Sequence, residues 1–205
     1  MDQQYIYVVF SSTPYKVGKL IRKITQEEFN HVSISMDREL SRMYSFARRY
    51  YRLPFYGGFV CESRSRYYIN GKGTNICVCA IPVAPRRYIA LCNLLRDMHG
   101  QSRSYIYNHL SALGAVIHKP IRARDAYTCV EFCIKILRDL GVQIQPDKYY
   151  SVGDIHSLLK PFMIYNGPMP VPDSYDAAYY AEKPVPHPIY ATLRDMFKLL
   201  PRLKV

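Results

Sequence analysis

The chain has no tryptophan in 205 residues, although it carries 20 tyrosines. Half-buried strand positions are the common home of such tyrosines; lining a cleft or stacking on bases is the rarer use. Long apolar runs are missing too. No stretch approaches the roughly 20 residues that a bilayer-spanning helix needs, so no transmembrane segment is expected. Met1-Asp2-Gln3-Gln4 is polar and acidic. It does not open as a secretory leader does, with a basic region and then an apolar one, and a cytoplasmic location is expected. The 6 cysteines are irregularly spaced, which argues against a disulfide framework and for reduced thiols. Acidic residues are scarce: 16 Asp and Glu face 28 Lys and Arg, for a formal charge of +12. That surplus favours an anionic surface or polymer as a partner. The cations are scattered and no nucleic-acid-binding motif accompanies them, so specific nucleic-acid recognition is not expected.

With 49% hydrophobic residues, the chain can bury a core without staples, and its length fits one domain with a small appendage. Tyr5 to Phe10 is β-branched and aromatic and reads as an opening strand. Val17 to Ile24 has helical spacing. His31 to Met36 alternates apolar and small polar residues, the pattern of a half-buried strand, and Met43 to Ala47 reads as its antiparallel return. Gly58 to Glu62 is a short strand. Asn70-Gly71-Lys72-Gly73 is a hairpin signal leading into a strand over Thr74 to Ile81. Pro85 opens a helix to about Met98, and a second helix is predicted from Ser102 to Leu113. A short helix is expected over Val152 to Leu159. Beyond Lys160 seven prolines lie between Pro161 and Pro188. This stretch reads as an extended or partly disordered tail, with a short amphipathic helix over Thr192 to Leu200. The division is therefore 1–160 for the domain and 161–205 for the extension.

The most informative stretch is Tyr127-Thr128-Cys129-Val130-Glu131-Phe132. Thr128 stands three residues before Glu131, which is the spacing of a capping box. Cys129 then takes the first helical position. Phe132, Ile136 and Leu140 keep helical spacing behind it, and Gly141 is a natural stop. A thiol placed there meets the positive end of the helix dipole and free N–H groups, which favour the nucleophilic thiolate. Such a nucleophile needs a base. His31, at the entrance of a predicted strand, is the best placed histidine. His99, His109, His118, His156 and His187 fall at helix ends or near the proline-rich tail.

Asn30-His31-Val32-Ser33-Ile34, Met43-Tyr44-Ser45-Phe46 and Thr128-Cys129-Val130-Glu131, in that order, resemble the permuted papain-like hydrolases. These are the YiiX-like branch of the NlpC superfamily, related to lecithin retinol acyltransferase. In that branch the histidine strand precedes the cysteine helix. The resemblance covers roughly Tyr5 to Leu140. It implies an α+β, circularly permuted papain-like fold, with an antiparallel sheet packed against the cysteine-bearing helix and further helices. It also implies a cysteine hydrolase or acyltransferase acting on an amide or ester bond. Cys129 would be the nucleophile, His31 the base and then the acid, and the Cys129 N–H an oxyanion donor. The substrate would be a peptide, a cell-wall fragment or a lipid-linked acyl group, and no cofactor or metal is called for. The family's polar third residue, which orients the imidazole, has two candidates here. Ser45 occupies the matching position, and Glu62 serves if its strand lies next in the sheet. Without an orienting carboxylate the histidine would be less basic or the chain an inactive relative; the alternative is thus a catalytically inactive papain-like binding module with a basic surface for an anionic partner.

Other signals carry less. Cys77-Val78-Cys79 places two thiols on one face of a strand, for which core packing outweighs half a metal site. Cys133 is expected to pack inward. The basic run Arg48-Arg49-Tyr50-Tyr51-Arg52 reads as a solvated loop.

Overall fold

Residues Gln4–Ser11 form a strand, β1, that is apolar on both faces, and the protein buries it near the middle of its sheet. The computed structural model describes residues 3–13, 16–50, 53, 55–114, 121–146, 148–174, 176 and 187–203. After β1 come α1 (Lys16–Thr25), β2 (His31–Ser35), β3 (Met43–Arg48) and β4 (Gly57–Glu62). The small hairpin β5 (Tyr68–Ile69) and β6 (Lys72–Gly73) follows, then β7 (Asn75–Val83) and α2 (Pro85–Gly100). Next are β8 (Ile106–Tyr107), α3 (His109–Gly114), β9 (Ala126–Tyr127) and α4 (Cys129–Asp139). The chain ends with α5 (Val152–Leu159), β10 (Met163–Pro168) and α6 (Pro188–Phe197). Met1, Asp2, Arg52 and His118 of the sequence reading lie outside the described residues.

The main sheet has the order β10-β7-β1-β2-β3-β4-β8-β9. Its pairings are antiparallel except β8 with β9. The architecture is α+β, with a mostly antiparallel sheet. One face carries Ile6, Val8, Phe10, Val32, Ile34, Phe46 and Phe59, and onto it pack α2, α4 and α5 through Leu95, Phe132, Ile136, Leu137 and Ile155. Each of these side chains contributes roughly 1.5–3 kcal/mol by leaving water. A smaller cluster of Val9, Met43, Ile76 and Val78 with Leu40, Tyr67 and Met169 covers part of the other face. No helix among the described residues is long and apolar enough to cross a membrane.

The structure departs from the sequence reading in definite places. β2 is buried along its whole length rather than on one face, because both sides of the sheet are covered there. Of its two serines, Ser35 is accommodated by a local bond from its Oγ to the Arg42 carbonyl at 2.9 Å. The helix expected from Ser102 to Leu113 is three elements: a 3₁₀ turn over Ser102–Ser104, then β8, then α3. Tyr105-Ile106-Tyr107 takes its backbone partners from elsewhere. The Ile106 N–H donates to the Asp125 carbonyl at 3.2 Å, and the Asn108 N–H to the Tyr127 carbonyl at 3.0 Å. β9 and β10 were not legible as strands. β10 lies within the proline-rich stretch and joins the main sheet as an edge strand on β7. The hairpin signal is matched by Asn70 and Gly71, whose φ of 52° and 73° make the tight turn between β5 and β6.

Gly57-Gly58 begins β4. A side chain at Gly58 would overlap the Tyr105 carbonyl oxygen and the Arg49 guanidinium. That guanidinium crosses Gly58 to donate to the Tyr105 carbonyl at 2.7 Å, which ties the end of β3, across β4, to the entrance of β8. Gly58→Ala should lower unfolding stability by about 1–3 kcal/mol through overpacking, read from urea denaturation. An unchanged midpoint would contradict this account of the crossing.

Candidate active site

The entrance of α4 is built as the sequence predicts. Thr128 is extended at φ −82° and ψ 170°. Its Oγ1 accepts from the Glu131 N–H at 3.1 Å, and Glu131 Oε2 accepts from the Thr128 N–H at 2.7 Å. The second Glu131 oxygen accepts from Ser111 Oγ at 2.6 Å. Glu131 is thereby committed to structure, and burial raises its carboxyl pKa despite those bonds. Cys129 begins the helix, delivered by β9 lying parallel to β8. One turn on, Cys133 is fully buried, and burial pushes its thiol well above the ordinary range.

His31 is the first residue of β2, opposite Ser11 of β1. The ladder between β2 and β3 is registered only at Ile34–Tyr44 and Ser35–Met43, and so stops short of His31. β4 is the neighbour of β3, and Glu62 lies opposite Met43. By strand alternation Met43, Ser45 and Glu62 share a face. The His31 ring reaches this group. Its Nε2 lies 3.2 Å and 3.4 Å from the two Glu62 oxygens. An N–H on Nε2 donates to the carboxylate, which leaves Nδ1 for the thiol.

Glu62 is 1% exposed, and its charge is answered from four sides. Ser45 Oγ donates at 2.6 Å, Tyr67 donates its phenolic O–H, Arg66 Nη1 lies at 3.2 Å, and His31 completes the set. Burial alone would raise the Glu62 carboxyl. The Arg66 guanidinium, His31 and the Ser45 hydroxyl outweigh it and hold the group at about 2. Burial would likewise push the His31 imidazolium down. The Glu62 charge, aided by the nearby Cys129 thiol, prevails and holds it at about 9. Around the sulfur, Tyr107 of β8 and Tyr149 are within electrostatic reach. Cys129 and His31 are only 8% and 7% exposed, so the site is nearly closed.

Cys129, His31, Ser45 and Glu62 therefore converge. The two candidates for the third position are not rivals: Glu62 faces the imidazole, and Ser45 holds Glu62. Sequence reasoning missed Arg66, Tyr67, Tyr107 and Tyr149. The one available signal was Glu62 and Arg66 standing four apart, which the 3₁₀ turn over Arg64–Tyr67 folds together. Cys77 and Cys79 are fully buried in the main core, as core packing predicts. Its neighbours Cys79 and His156 draw the Cys77 thiol below the ordinary range. His156 is wedged between Phe10 and Phe29. This second thiol–imidazole pair has a sulfur with no exposure to substrate. Among the described residues no group of three or more His, Cys, Asp or Glu side chains could hold a metal ion.

The two shifted groups make stability depend on pH in opposite senses. His31 is raised from 6.5 to about 9, so its contribution is whole below pH 6.5 and is lost as pH rises through 9. Glu62 is lowered from 4.5 to about 2, so its contribution is whole above pH 4.5 and is lost as pH falls through 2. Melting temperature should thus be highest between these limits and decline on the alkaline side. In His31→Gln that alkaline decline should flatten, and an identical decline in both proteins would contradict the pairing. No family model matches this chain, and neither a curated protein nor a solved structure is significantly similar to it.

Proposed function

We propose that this protein is a cysteine-dependent hydrolase or acyltransferase with a circularly permuted papain-like arrangement, acting on an amide or ester bond. The observation that carries the reading is the bond from Glu62 to His31, with Cys129 at the entrance of α4 within electrostatic reach of that ring. A nucleophile, an imidazole and an orienting carboxylate stand in the order that thiol acyl transfer requires. His31 takes the Cys129 thiol proton, and the thiolate attacks the carbonyl carbon and forms the C–S bond. The carbonyl oxygen takes the negative charge and is met by the backbone N–H of Cys129 at the entrance of α4. The His31 imidazolium gives its proton to the departing amine or alcohol as the C–N or C–O bond breaks. Water, or an acceptor nucleophile, then attacks the thioester and passes a proton to His31, and the thiolate leaves. Glu62 keeps Nε2 protonated and the ring facing the sulfur throughout. The scheme needs no metal or organic cofactor. A peptide, a cell-wall fragment and a lipid-linked acyl group all fit this chemistry.

The near closure of the site favours a second reading, a non-catalytic module of the same fold whose basic surface holds an anionic partner. Thiol reactivity separates the two. Cys61 and Cys92 are more exposed than Cys129, so selectivity for Cys129 must come from chemistry rather than access. Iodoacetamide at neutral pH, followed by peptide mapping, should modify Cys129 first. His31→Ala and Glu62→Gln should each slow that modification by about tenfold or more. Modification of Cys129 no faster than that of Cys61 and Cys92 would favour the non-catalytic module.

A further inference from the structure

Helix α6 sits on the protein the wrong way round. At 100° per residue, Ile189, Tyr190, Leu193, Met196 and Phe197 fall on one continuous arc of about 120°. These side chains are 43–73% exposed, and Leu200 extends the arc at 58%. The face turned inward carries Ala191 at 6% and Asp195 at 5% exposed, with Leu199 at 2% just beyond the helix. An amphipathic helix stabilised by its own core would bury the apolar arc. This one buries an alanine and a carboxylate and presents the arc to the outside.

The orientation is fixed. Leu199 packs with Ile106, Ala123 and Ala126. The Arg124 N–H donates to the Arg202 carbonyl at 2.8 Å, and Arg202 Nη1 donates to the Ser104 carbonyl at 2.9 Å. An apolar, open depression of about 510 Å³ runs along the helix, lined by Tyr190, Leu193, Arg194, Phe197, Lys198 and Pro201. Cations border it. Arg194 and Lys198 stand at the margin of the arc, with Arg202 and the exposed side chain of Arg124 beyond its end. The one carboxylate on the helix, Asp195, is buried and accepts from the adjacent Arg194 at 2.9 Å. Asp125, half exposed and 4.0 Å from Arg124, is the acid that tempers this rim.

We propose that the outer face of α6 docks on an anionic lipid bilayer, with the apolar arc in the interface and the basic margin on the headgroups. An apolar stripe with a cationic border is the pattern of an interfacial helix. The +12 formal charge adds long-range attraction to such a surface. A second copy of the chain would bring the same cations against these cations, which disfavours it as the occupant. This inference stands independently of the thiol chemistry.

Flotation of the full chain with phosphatidylcholine vesicles, with and without phosphatidylserine, tests it. Binding is expected with phosphatidylserine present, weakening as salt is added. Leu193→Glu with Phe197→Glu should reduce it at least about tenfold, and circular dichroism should show the fold retained because both positions are exposed. Lys198→Glu with Arg124→Glu, which leaves the arc intact, should reduce binding to phosphatidylserine vesicles specifically. Absence of flotation in the unaltered protein would overturn the proposal, as would flotation by both double variants equal to that of the unaltered protein. A concentration-dependent dimer that Leu193→Glu with Phe197→Glu abolishes, without vesicle binding, would assign the arc to a second copy instead.

Discussion

Glu62 holds a negative charge inside this protein, and much of the surrounding structure follows from that charge. A carboxylate removed from water is costly unless charge and hydrogen bonds replace the lost hydration. Here Arg66, Ser45, Tyr67 and His31 replace it. They come from three places: Arg66 and Tyr67 from the turn after β4, Ser45 from the neighbouring strand β3, and His31 from β2 beyond it. Satisfying Glu62 therefore fixes how β2, β3, β4 and the 3₁₀ turn sit together. The same arrangement leaves one ring nitrogen of His31 to face outward from the carboxylate, toward Cys129.

The second constraint is the entrance of α4. Its capping box is closed by Thr128 and Glu131, and Glu131 is tied back to Ser111 near the start of α3. This anchors the first turn of the helix independently of the imidazole. Cys129 is thus held by one polar network and His31 by another, and the packing of α4 on Val32, Ile34, Phe46 and Phe59 brings the two networks together. Deep burial keeps both rigid and also limits access.

The parts of this arrangement that are local in the chain could be read from it. The capping box, the helix behind Cys129, the hairpin at Asn70-Gly71 and the strands β1 to β4 each carry their signal within a few residues. What was hidden depends on distant partners. Choosing between Ser45 and Glu62 required the order of β3 and β4 and the reach of a long side chain, and the outcome, a relay rather than a choice, has no local signature. Arg66 and Tyr67 read as ordinary polar and aromatic residues until a turn folds them onto Glu62. β8 and β9 are two residues each, too short to show any period. β10 was masked by proline, which an edge strand tolerates where a central one would not. Thr192 to Leu200 was correctly amphipathic, but periodicity does not say which face a helix turns inward.

The pairing of His31 with Glu62 is tested most directly by following the His31 ring protons by NMR across pH. The account predicts titration at about 9 in the unaltered protein. In Glu62→Gln it predicts a marked fall, because burial is then the strongest influence left. Titration near 6.5 in both proteins would mean that the ring does not feel the carboxylate, and the site as described would not exist.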